Sequence, residues 1–251
     1  MYQPRTYRDT VTSRDLIAFN VTVKETDLYV RATANLAKEA RQSVLKHRRA
    51  LEEYIAFHPL FLTSLVPLPA DSRAPKIVKA MLAAAAKANV GPMASVAGAM
   101  ARFVGEDLKQ AREVIIENGG DIYIRSAKKR TISIFAGNSP LSGRLGIEIA
   151  AKDTPLGVCT SSGTVGHSLS FGKADAVVVI APDAALADAA ATAIGNVVYT
   201  PDDFEKAIEQ AQKIEGLKGL AIIKGDSIGL WGDVKLTRTV ESAAKPKAIV
   251  K

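Results

Sequence analysis

The chain is poor in most of the residues that mark a specialised protein class. It has one cysteine in 251 residues, so no disulfide can close within it, and that suits a reducing compartment. Aromatic residues are only 6% of the total, too few for a surface that stacks bases among basic side chains. Lys and Arg number 33 against 26 acids, a net charge of +7, but the cations are scattered from Arg5 to Lys251 rather than gathered in a stripe. A nucleic-acid partner is therefore not expected. The densest basic run, Lys46-His47-Arg48-Arg49, is followed by Glu52 and Glu53, which places an acid four positions after each arginine, as on a solvated helix face. No apolar run reaches about 18 residues, so no membrane span is expected. The opening MYQPRTYRDTVTSRDL is polar where an export signal would be apolar, and the expected location is the cytoplasm.

Core material is plentiful: 47% of the residues are hydrophobic, enough for one large domain or two fused halves. Strand-like alternation on both sides of Lys24-Glu25-Thr26-Asp27 predicts a hairpin over Leu16–Ala32. Leu36, Ala40, Val44, His47, Leu51, Tyr54 and His58 recur at three- and four-residue intervals, an amphipathic helix that Pro59 ends. Two further helices are expected, over Lys76–Asn89 and from Gly91-Pro92 to about Val104. A hairpin follows, Glu113–Asn118 and Asp121–Ser126, joined by Gly119-Gly120.

The order then recurs. Strands TISIFAG, LGIEIAA, GVCTS and ADAVVVIA lead to helices over Ala184–Ile194 and Pro201–Ile214, and then to a strand pair turning at Lys224-Gly225-Asp226. The expectation is an α+β fold, a duplicated strands, helix pair, strands unit on antiparallel sheets packed with helices. Residues 1–130 would form the first unit and 131–240 the second, with 241–251 a flexible tail.

Three segments can carry chemistry. In GPMASVAGAMA, Ala94, Ala97, Gly98 and Ala101 share one helical face, small enough for another backbone or a flat ligand to approach. Gly98 in a helix interior costs about 1 kcal/mol relative to Ala, so something must compensate. In ALADAAATA, Asp188 and Thr192 lie four apart among alanines. Their oxygens suit a hard cation such as Mg²⁺, although a threonine hydroxyl there can equally bond back into its helix. GVCTSSGTVGHS, Gly157 to Ser168, gathers the only cysteine, one of the three histidines and five hydroxyls. A loop rich in glycine and serine after a strand has the form of a phosphate cradle, though it matches neither familiar phosphate-binding fingerprint. His167 can move protons near neutral pH. Cys159 reads either as a thiolate near His167 or as a buried strand residue.

Taken in order, GPMASVAGAMA, ENGGDI, CTSSGTVGHS and VVVIAPDAALADAAATA resemble the ApbE-like superfamily, which includes the FAD:protein FMN transferases, and most closely its short bacterial and archaeal branch. The resemblance runs from about Gly91 to Ala193. It implies a duplicated T-fold and an Mg²⁺ ion held by Asp188, Thr192 and the backbone carbonyl of Ala94. It also implies an FAD or FMN site lined by Gly91, Ala94 and the hairpin Asn118, Gly119, Gly120 and Asp121, together with the turn Thr160, Ser161, Ser162 and Gly163. His167 and, in a sulfur-handling version, Cys159 would be the catalytic side chains.

The sequence also departs from the transferases. Ser95 stands where they carry a lysine, and Ser-Leu-Ser follows His167 where they have an IIDP-like run. The implied activity is Mg²⁺-assisted binding or turnover of a flavin nucleotide or similar phosphate ester, by a transferase or hydrolase. One alternative is a role in sulfide assimilation and homocysteine formation in anaerobes. Another is a non-catalytic protein that binds a nucleotide-like small molecule on the same fold. A homodimer is the default assembly.

Overall fold

The computed structural model describes residues 15–164 and 171–239. A hairpin opens it, β1 (Ile17–Val23) and β2 (Thr26–Ala32), paired in register around the charged turn. Four helices follow: α1 (Ala37–Phe57), the short α2 (Leu60–Thr63), α3 (Lys76–Ala88) and α4 (Val96–Asp107), the last preceded by a 3₁₀ turn at Pro92–Ser95. Helix α1 buries Ala40, Ser43, Val44, His47 and Leu51, the face its periodicity predicts. On its outer side Arg48 pairs with Glu52 and Arg49 with Glu53, each at 2.8 Å.

A second hairpin, β3 (Val114–Asn118) and β4 (Asp121–Arg125), turns at Gly119 and Gly120. Their φ values of +70° and +106° belong to a left-handed turn that glycine adopts without steric cost. Next come β5 (Arg130–Ser133), β6 (Leu145–Ile149), β7 (Leu156–Ser161) and β8 (Ala176–Ala181). Helices α5 (Ala184–Gly195) and α6 (Phe204–Lys213) precede the hairpin β9 (Gly219–Lys224) and β10 (Ser227–Gly232), and β11 (Leu236–Arg238) closes the described chain.

Eight strands form one antiparallel sheet in the order β1-β2-β3-β4-β7-β8-β9-β10. In each half of that sheet two strands, a helical crossover and two more strands follow in chain order. The fold is thus mixed α+β with antiparallel sheets and helices. The strands expected at TISIFAG and LGIEIAA do not enter this sheet: β5 and β6 pair with β11 as a separate three-stranded sheet.

Alternation along β8 explains why three layers result. Val177 and Val179 join the core against the helices, whereas Val178 and Ile180 join a second core with Ile134, Ile147 and Ile149 on the opposite side. A strand covered on both faces reads as an unbroken apolar run, and all six residues of AVVVIA are buried. Among the described residues no helix is long and apolar enough to cross a membrane.

Candidate functional site

The site is built around α5, a helix of alanines pressed against two backbones. A Cβ placed on Gly98 would lie 2.2 Å from the Ala184 carbonyl oxygen and 2.8 Å from the Asp188 Cβ, and one on Gly157 would lie 2.3 Å from the Ala184 Cα. Helix α4 and strand β7 therefore meet α5 at backbone distance. This close packing accounts for the glycine in the α4 interior. Asp183 caps α5 by accepting the Ala185 N–H at 2.9 Å, and Arg102 of α4 reaches the same carboxylate at 2.7 Å, joining the two helices a second time.

That contact delivers Asp188 to the start of α4. Its Oδ2 accepts the Gly98 N–H at 2.8 Å, and the Ala97 N–H also reaches the carboxylate. The first turn of a helix carries N–H groups with no intrahelical acceptor and a partial positive charge, and Asp188 supplies both an acceptor and the opposite charge. Burial nevertheless lifts the carboxyl to about 7, the two N–H groups opposing the rise. Thr192 stands one turn further along the same half-buried face of α5.

Asp121, on β4, meets this group from the sheet side. It is buried, and burial followed by the Asp188 charge pushes it well above the usual carboxylate range, while the Cys159 thiol and the Thr160 N–H hold it down. Its Oδ1 has no hydrogen-bond partner among the described residues. Asn118, at the other end of the glycine turn, donates from its side-chain amide to the Ala97 carbonyl at 3.2 Å. Gly120 donates its N–H to Glu117 at 2.8 Å. The hairpin is thus tied to the same first turn of α4 that binds Asp188.

Other expected residues have different tasks. Gly91 is buried, and a side chain there would strike the Ser64 carbonyl at 1.8 Å, so the missing Cβ admits the chain after α2. Ala94 lies half-buried in the 3₁₀ turn that packs on α5, its N–H bonded to the Gly91 carbonyl at 3.1 Å. Alternation along β7 sends Cys159 and Ser161 toward the helices and Thr160, with Leu156 and Val158, to the other face, so the two adjacent hydroxyls do not share a surface. Ser161 rests against Gly195 at the end of α5.

Ser162 and Gly163 start the loop. Gly163 donates to the Ala174 carbonyl at 2.9 Å, and a Cβ on it would lie 2.1 Å from the Gly172 carbonyl oxygen. Its lack of a side chain closes the loop base. His167 falls outside the described residues.

Of the two readings of Cys159, its surroundings match the buried strand residue. Its side chain is fully buried and donates to the Ala184 carbonyl at 3.3 Å. Burial, then the Asp121 and Asp188 charges, push the thiol well above its ordinary value, the opposite of what a thiolate nucleophile needs.

Among the described residues no three or more His, Cys, Asp or Glu side chains are grouped to hold a metal ion. What is present is a pair of carboxylates, Asp188 and Asp121, and carboxylate oxygens suit a small hard cation. The pairing of Asp121 with Asp188 joins residues 67 positions apart in the chain and was not read from the sequence. The available signal was alternation in DIYIR, which places Asp121 on the face of Tyr123, a residue of the helix-side core.

Comparison with known proteins places these features in a family. The family described as "AbpE bacteria" matches residues 8–230. A UPF0280 protein of Methanocaldococcus jannaschii is 43% identical over 220 residues, 85% of this chain and 90% of that one. A second, from Methanothrix thermoacetophila, is 46% identical over 199 residues, 78% of this chain and 83% of that one. Among solved structures, the apo form of Pseudomonas stutzeri flavinyl transferase ApbE superposes with a TM-score of 0.55 at 12% identity, covering 89% of this chain and 94% of that one. The ApbE protein of Thermotoga maritima gives 0.50 at 14%, covering 85% and 96%. At such identities these two likenesses establish the fold.

Proposed function

Because the chain belongs to the family described as AbpE bacteria, we propose that it binds a flavin nucleotide or a similar phosphate ester with the help of Mg²⁺ and turns it over by transfer or hydrolysis. The observation that carries this reading is the Asp188 carboxylate held at the first turn of α4 with a second buried carboxylate, Asp121, beside it. The glycine hairpin Asn118–Asp121 is anchored to that same turn.

Asp188, Thr192 and the carbonyl of Ala94 would hold the cation, which when bound polarises a phosphoryl oxygen. The chain's own groups supply the rest. The Gly98 N–H fixes the Asp188 carboxylate, so that it is oriented before any ligand arrives. Asn118 keeps the Gly119-Gly120 turn against α4, where a turn without side chains would let a flat ring approach. His167 would carry the proton that an attacking hydroxyl or water gives up. With Cys159 buried and protonated, the sulfur reading gains no support from the site.

The test is a fluorescence titration of the purified protein with FAD, with and without Mg²⁺, repeated on Asp188→Ala, with chromatography for FMN and AMP. Saturable quenching that needs both Mg²⁺ and Asp188, followed by released AMP, is expected. Saturable FAD binding indifferent to both, with no product, would leave a non-catalytic binder instead.

A further inference from the structure

Two carboxylates meet inside this protein with no cationic side chain among the described residues to balance them. Asp121 is only 7% exposed, its Oδ1 lacks any hydrogen-bond partner among the described residues, and the Asp188 charge acts on it directly. The groups that reach the pair are backbone N–H groups and a thiol: Gly98 and Ala97 at Asp188, Thr160 and Cys159 at Asp121. Among the described residues neither carboxylate is bridged to Lys, Arg or His, although such bridges serve Asp183, Glu113 and Asp175 elsewhere in the fold. Glu117, close by on β3, adds further negative charge. Buried carboxylates are normally paired or bound to a metal, and an interior acceptor left empty is costly. Here the unpartnered oxygen belongs to a carboxylate that already feels the charge of a second one, Asp188.

We infer that Asp121 is a second carboxylate ligand of the cation that the preceding proposal assigns to Asp188, and the inference rests on that reading. A single carboxylate with neutral oxygens holds Mg²⁺ weakly and depends on ligand phosphates to complete the coordination. Two carboxylates hold a divalent ion in the absence of any nucleotide, because affinity for hard cations rises with the number of charged oxygen ligands. The +2 charge also removes the repulsion between the two side chains, which neither a water nor a neutral ligand does. Asp121 thereby makes the protein load its cation first and its nucleotide second.

The test measures cation binding without nucleotide, by calorimetry with Mg²⁺ and by the electron paramagnetic resonance of Mn²⁺, on wild type, Asp121→Asn and Asp188→Asn. Expected are one site in the wild type, at least tenfold weaker binding in Asp121→Asn, about 1.4 kcal/mol, and none in Asp188→Asn. Chelated Asp121→Asn should melt at or above the wild-type temperature, since it loses a buried charge, but should gain less on adding Mg²⁺. Should the amide variant not fold, Asp121→Ser gives the same comparison.

Wild-type cation affinity in Asp121→Asn, with loss in Asp188→Asn, would overturn the inference and leave the metal role of Asp188 standing. No cation binding by the wild type at millimolar concentration would overturn both, leaving a proton shared by the two carboxylates as the balancing charge.

Discussion

Gly98→Ala separates two accounts of the central helix contact. On intrinsic propensity alone, replacing a helical glycine by alanine stabilises by up to about 1 kcal/mol. The structure argues for the opposite sign. The new methyl group would sit 2.2 Å from the Ala184 carbonyl oxygen and 2.8 Å from the Asp188 Cβ, neither of them the movable end of a long side chain. Forcing α4 and α5 apart costs about 1–3 kcal/mol in overpacking, and misaligning the Gly98 N–H with the Asp188 carboxylate removes a charge-assisted bond worth about 1.5–3 kcal/mol. After the propensity gain, the net loss is about 3 kcal/mol.

At 2–4 °C per kcal/mol for a chain of this size, that is a fall in Tm of roughly 6–12 °C, read by circular dichroism and checked by urea denaturation. Gly225→Ala is the control. Its φ is +61° with nothing within 4 Å, so it should lose only about 1–2 kcal/mol from backbone conformation. A Gly98→Ala protein as stable as the wild type, or more so, would refute the close approach of the two helices.

Two further outcomes are expected. Native protein should resist a thiol reagent such as dithionitrobenzoate and take up one equivalent only after unfolding, because Cys159 is buried and its thiol is raised; rapid native labelling would contradict that placement. His47 is lowered by burial, against the pull of Asp107, so it stays neutral in the fold while the unfolded chain takes up a proton near 6.5. The unfolded state then binds more protons, and its contribution to stability is lost as pH falls from about 6.5 through the folded value, with a slope of at most about 1.4 kcal/mol per pH unit. His47→Gln should flatten that part of a stability-against-pH curve; an unchanged curve would refute the burial argument.

The path of the main sheet was legible in the sequence wherever one local rule governed it. Gly119-Gly120 announced the β3–β4 hairpin, and Pro59 marked the end of α1. Strands β5 and β6 were recognised as strands, yet their departure into a second sheet was not, since alternation specifies a face and not a partner. The short α2 was missed because four residues are too few for a helical period to show.

Of the site, Asp188 and Thr192 could be singled out by their spacing on an alanine helix. Their relation to Asp121, and the capping of α4 by Asp188, depend on contacts between residues 67 and 90 positions apart, to which periodicity is blind. Gly91 and Gly163 show the same limit: each makes room for a carbonyl distant in the chain, which the sequence shows only as a glycine.

The glycines at 98 and 157 also bear on how the protein responds to whatever it binds. With both flanks of α5 seated on backbone, the helix cannot roll about its own axis without driving the Ala184 carbonyl into one neighbour or the other. Asp188 and Thr192 therefore keep one bearing whether or not the site is filled, and the entropy of ordering them falls on folding rather than on association. Recognition here should be that of a rigid socket, with adjustment left to the incoming molecule.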